Sequence, residues 1–155
     1  MIQLEKEIET GLRTAIRTSL NTYGATTPEL VDAKIICFWL GDEDGGPADD
    51  ASGLRVMMMA HPSSSAGYIP NVGFEPLRSI QVDVMCVSQP DSDSDKRIMR
   101  ALYEAVRSVF EAATPAFTFA AGITFGGMLI TNGGSAEFDD VGQVTSFTVD
   151  MKVSL

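Results

Sequence analysis

The single histidine of the sequence, His61, stands before Pro62 and three consecutive serines, Ser63, Ser64 and Ser65, so it is the one centre for nucleophile-and-base chemistry. A serine nucleophile needs its base held rigidly, and a Pro/Ser stretch cannot do that by itself. His61 is therefore expected at a strand end, facing solvent. A second set, Asp91, Asp93 and Asp95, imitates the first ligands of a calcium loop. Lys96, however, stands where the turn glycine is required, and Leu102 where the bidentate glutamate belongs. The plainer reading is a helix start, with Asp91, Ser92 and Asp93 offering oxygens to the unpaired amides of the first turn. A third set, Asp42, Glu43, Asp44, Asp49 and Asp50, falls within the acidic, glycine-rich residues 41–53. Pro47 and the glycines there impose no ligand geometry, so a solvated, mobile loop is expected rather than a metal site.

Other chemistries lack their residues. Gly122, Gly126, Gly127, Gly133 and Gly134 spell neither a GxGxxG nor a GK[ST] between a strand and a helix, which argues against a nucleotide cradle. Two cysteines and one histidine far apart in sequence give no zinc spacing. Cys37 and Cys86 both fall in expected strands, as buried free thiols in a reducing compartment. No catalytic residue, metal ligand or cofactor is assigned, and a non-enzymatic role is expected. The net charge of −10, from 11 basic and 21 acidic residues, opposes any grip on nucleic-acid phosphates. The N-terminal MIQLEKEIETGLRTAI is charged and periodic, unlike a signal peptide, and no apolar run reaches the length of a membrane span.

The elements that would position such residues are clearest at 77–113. Ile80, Val82, Val84 and Cys86 share one strand face, and Gln81, Asp83 and Met85 share the other, which is wetter or packed against a partner. After Pro90 the apolar period changes to that of a helix, through Ile98, Leu102, Ala105, Val106, Val109 and Phe110. Leu4, Ile8, Leu12, Ala15, Ile16 and Leu20 mark a first amphipathic helix, with Glu5, Lys6, Glu9, Arg13 and Arg17 around it and Gly11 weakening it slightly. Residues 34–40, KIICFWL, read as a strand covered on both faces. Residues 54–60 read as another, with Leu54, Val56 and Met58 opposite Arg55, Met57 and Met59. Residues 61–76 read as an extended hairpin arm whose Tyr68, Ile69, Val72 and Phe74 pack on something.

The Gly-rich stretch 117–134 suggests one or two strands with bulges, and Asn132–Gly133 a turn. The last strand carries Thr145, Phe147, Val149, Met151, Val153 and Leu155 on one face. The result is one α+β domain over residues 1–155. It has a mixed or antiparallel sheet of about five strands, with two helices packed on it in the order α-β-β-β-α-β-β.

That order resembles the tail-terminator proteins of long-tailed phages over the whole chain. The resemblance is carried by LEKEIETGLRTAI, by VDVMCVSQPDSDSDKRIMRALYEAVRSVF and by the closing VTSFTVDMKVSL. It implies a hexameric ring at the head-proximal end of the virion tail, assembled in the host cytoplasm. Such a ring caps the tail tube protein, ends tube polymerisation and offers a docking surface to the head's neck or connector protein. Met57, Met59, Tyr68, Ile69 and Phe74 would then serve subunit interfaces. The acidic Asp42, Glu43, Asp44, Asp49, Asp50, Asp139 and Asp140 would face a channel or a partner, letting DNA slide through without specific binding. Another head–tail connector of similar size remains an alternative, as does a small acidic α+β enzyme or ligand-binding domain.

Overall fold

The structure is a computed structural model and describes residues 4–40, 42–44, 53–61, 64–65, 77–88, 93–112, 118–119, 122–138 and 142–154. The first helix, α1 (Leu4–Tyr23), buries the stripe Leu4, Ile8, Leu12, Ala15, Ile16 and Leu20. It stops at Gly24, whose amide bonds to the Leu20 carbonyl at 2.9 Å. A Cβ on Gly24 would lie 2.4 Å from Val31 Cγ2, so only glycine lets the short 3-10 helix Pro28–Asp32 fold back this closely. Arg17 ties that return down, donating from Nη1 to the Val31 carbonyl at 3.1 Å and from Nη2 to the Ala33 carbonyl at 2.6 Å. Gly11 has a packing reason as well: a Cβ there would meet the Thr118 carbonyl oxygen at 2.6 Å.

The strands are β1 (Lys34–Cys37), β2 (Asp42–Asp44), β3 (Arg55–Ala60), β4 (Ser64–Ser65), β5 (Leu77–Val87), β6 (Thr124–Phe138) and β7 (Gly142–Ser154), with α2 (Asp93–Glu111) between β5 and β6. They form one sheet in the order β2-β1-β3-β5-β7-β6, with β4 paired to β5 outside that path. Only β1 and β3 run parallel, which makes the sheet mixed. The α+β architecture of five substantial strands and two helices holds, in roughly the expected order. The two further strands are short, and both fall in segments expected as loop or arm. Asp42–Asp44 are thus not loop residues: they pair antiparallel with Cys37, Ile36 and Ile35. Serines 64 and 65 open the expected arm by pairing with Ser79 and Arg78.

Cross-strand partners share a face of the sheet, so the registers define two surfaces. Ile35–Val56–Cys86, Cys37–Met58–Val84–Phe147 and Ala60–Val82–Val149 are rows on the helix-covered side. All of these residues are buried, together with Leu102, Ala105, Val106 and Phe110 of α2. Phe147 anchors the centre, meeting Tyr103 and Phe110 edge to face at centroid distances of 5.8 and 5.5 Å. The helices join through Ser19, whose hydroxyl donates to the Ala105 carbonyl at 2.6 Å.

Two further expectations are corrected. The segment KIICFWL is strand only to Cys37, because residues 38–40 turn away. Asn132–Gly133 is not a turn but lies inside β6, where the register against β7 shifts between Asn132 and Ser135. The other shift falls between Phe125 and Gly127, and Gly127 has φ +136, a bulge conformation open to glycine.

Candidate functional site

The face of the sheet opposite the helices holds the candidate surface. Met57 pairs with Met85 across β3 and β5, and Ile36 of β1 stands beside Met57. Met57 and Met85 are each 40% exposed, and Leu129 on β6, opposite Asp150, is 66% exposed. Met59 is half-buried on the same face, opposite Asp83. Of the residues expected at a subunit interface, Met57 and Met59 are thus brought to one open surface, joined by Ile36, Met85 and Leu129. Tyr68, Ile69 and Phe74 lie outside the described residues, as do Asp49, Asp50, Asp139 and Asp140. Asp42, Glu43 and Asp44 form β2, at the far edge of the sheet.

Polar groups on this face are paired with one another. His61 Nε2 lies 2.6 Å from Asp83 Oδ2, so His61, at the end of β3 and partly exposed as expected, is also a partner of the central strand. Asp83 Oδ1 also accepts from Thr148 Oγ1 at 3.0 Å and Gln81 Nε2 at 3.2 Å. Burial pushes the Asp83 carboxyl up, but the bonds from His61, Gln81 and Thr148 outweigh it and hold the group below its ordinary value. Asp150 is also held low, first by Ser79, whose hydroxyl donates at 2.6 Å; burial opposes this, and Lys152 at 3.1 Å adds a lesser lowering. Among the described residues, Asp83 is the only side chain bonded to His61.

The other distinctive group sits on the helix side. Glu9 is fully buried. Its Oε1 accepts from the Trp39 amide at 2.8 Å and the Leu40 amide at 3.1 Å, and its Oε2 accepts from the Ala60 amide at 3.2 Å. One carboxylate of α1 therefore binds the chain where it leaves β1 to the end of β3. Burial raises the Glu9 pKa, against the lowering effect of these three amides. The turn it fixes carries two exposed rings: Phe38 at 62% and Trp39 at 39%, packed edge to face at 5.4 Å. Trp39 Nε1 donates to the Ala60 carbonyl.

Sequence reasoning placed Glu9 among the polar positions around α1. The available signal was its spacing: Glu9 precedes Leu12 by three residues and Ile16 by seven, which puts it at the margin of the buried stripe. The thiols match expectation, since Cys37 and Cys86 are free and buried, and burial pushes Cys86 up to about 12.

Among the described residues, no grouping of three or more His, Cys, Asp or Glu side chains suits a metal ion. No helix among them is long and apolar enough to cross a membrane. No protein-family model matches the chain, and no curated protein matches it in sequence.

Proposed function

We propose that this chain is a structural assembly protein of the tail-terminator kind, acting as a hexameric ring on the tail tube of a long-tailed phage. The observation that carries the reading is the one-sided sheet. Its face opposite α1 and α2 presents Ile36, Met57, Met85 and Leu129 between self-paired polar groups, a mixture suited to docking against protein. The order of helices and strands agrees roughly with the order expected from the sequence, on which the resemblance to that family rests, and supports the same reading. In this role the ring stops tube growth and receives the neck protein of the head. A net charge of −10 lets DNA pass without the counterion release that would hold it.

The test is to delete the gene from its source genome, induce or infect, and image the lysate by negative-stain electron microscopy. Tail termination predicts overlong tails without heads. Tails of normal length beside filled, detached heads would assign the chain to another connector step. Intact infectious particles would reject an assembly role and bring forward an enzymatic reading built on the His61–Asp83 pair.

A further inference from the structure

We propose that copies of this chain join head to tail, the Phe38–Trp39 turn and strand β2 of one copy seating on the first half of α2 of the next. The inference rests on the ring reading above and names the contact that builds it.

The first patch is unusual for being both exposed and fixed. Phe38 and Trp39 present their rings to solvent, yet the Trp39 and Leu40 amides are tied to a buried carboxylate, and the indole N–H is tied to the Ala60 carbonyl. Removing a carboxylate from water is costly. Here the cost maintains the order of a surface turn, and order imposed before binding is not lost again on binding. The chain then enters β2, whose sequence is Asp42-Glu43-Asp44 and which is the outermost strand of this edge. Aromatic faces and carboxylates share a preference for cations. The register sets Glu43 beside Ile36 on the open face and Asp42 and Asp44 beside Cys37 and Ile35 on the other, so this edge carries acidic residues on both faces next to the aromatic turn, and both features call for a basic occupant.

The chain supplies one. Five of its basic residues are exposed, and three of them, Lys96, Arg97 and Arg100, fall within the first half of α2. Among the described residues Arg100 pairs with Glu104, one turn along the same helix, an exposed pair of little strength. These three basic residues follow the two aspartates, Asp93 and Asp95, that open the helix, and they hold most of the exposed positive charge of a protein of net charge −10. Copies that repel one another over most of their surface can meet where these patches match, so the match also selects the orientation. Because the two patches differ, the contact is heterologous: each copy uses one patch on each neighbour, and a closed ring results when the rotation closes.

Sedimentation velocity on the whole chain tests this with D42K/E43K/D44K, with K96E/R97E/R100E, and with both sets combined. Wild type is expected to form a closed oligomer. Each triple variant should weaken association roughly tenfold or more, and the combination should recover most of that loss. Circular dichroism reports the fold, and the emission of Trp39, the one tryptophan, reports the corner. Should a triple variant lose its fold, D44K and R97E apply the same exchange singly. Triple variants that associate like wild type overturn the contact and leave the ring reading in place. A combined variant no better than its parents overturns the pairing of these two patches. A wild type that stays monomeric at millimolar concentration overturns self-association through this contact, and the tail-length phenotype then decides the ring reading separately.

Discussion

Glu9 and Asp83 are two carboxylates on opposite sides of one sheet, each accepting three hydrogen bonds, and their pKa values move in opposite directions. Glu9 is wholly out of water, so the penalty for its charge exceeds what three amides return. Asp83 keeps part of its hydration, and its bonds prevail. The number of bonds does not set the direction; the loss of water does. The helix side uses a carboxylate to hold backbone, whereas the open side uses carboxylates to keep polar side chains satisfied among apolar ones.

Removing Glu9 outright is the severest way to break this comparison. Glu9→Ala leaves the Trp39, Leu40 and Ala60 amides without their acceptor. At about 1–3 kcal/mol for each buried unsatisfied group, the loss should be on the order of 3 kcal/mol or more, read from urea denaturation. A smaller change is expected from Glu9→Gln, within about 1 kcal/mol at neutral pH, because relief of the buried charge offsets a misplaced amide donor.

That variant sharpens the contrast through its pH dependence. The folded pKa of Glu9 is raised, so its contribution to stability is fully present below the ordinary value of 4.5 and is lost as pH rises through the folded value. Asp83 and Asp150 are depressed, so theirs is present above 3.8 and is lost as pH falls through the folded values. Wild type should therefore gain stability from Glu9 on mild acidification and lose stability from the aspartates further down. Glu9→Gln should remove the gain alone, and a pH series of denaturation midpoints distinguishes the two. Asp83→Asn should flatten the acid limb at a cost below about 1 kcal/mol at neutral pH, since the His61 pair is partly exposed to solvent.

The smallest effect on stability is expected at the apolar row. Met57→Lys or Met85→Lys should change the unfolding free energy by roughly 0.5 kcal/mol or less, because each side chain already meets water. If this face docks on protein, either change should still weaken assembly in pull-down of tail structures. Equal assembly with both lysines in place would show that the row is ordinary surface.

Much of the fold was legible because its signals are local. The stripes of α1 and α2 and the alternation of β5 and β7 each lie within one stretch of chain, and burial follows them closely, with Met99 buried in α2 where Ile98 was expected and Thr145 of β7 only half-buried. What escaped depends on partners distant in sequence. Three acidic residues become β2 only because β1 offers an edge, and two serines become β4 only because β5 does. Asn132–Gly133 has the composition of a turn, but β7 runs past it and absorbs the extra residues as a register shift. Of the candidate surface, the parity of Met57, Met59, Asp83 and Met85 was readable. Their meeting with His61 was not, since it needs the register of β3 against β5.

The position of β7 has a consequence for the order in which the protein is made. Gly142–Ser154 is last of the described elements to leave the ribosome, yet it lies between β5 and β6, with a full ladder on each side. Until it emerges, β5 carries an unpaired edge, and α2 lacks Phe147, the ring that Tyr103 and Phe110 enclose. The nascent chain is thus held incomplete until β7 inserts, which makes closure of the sheet a late event among the described elements.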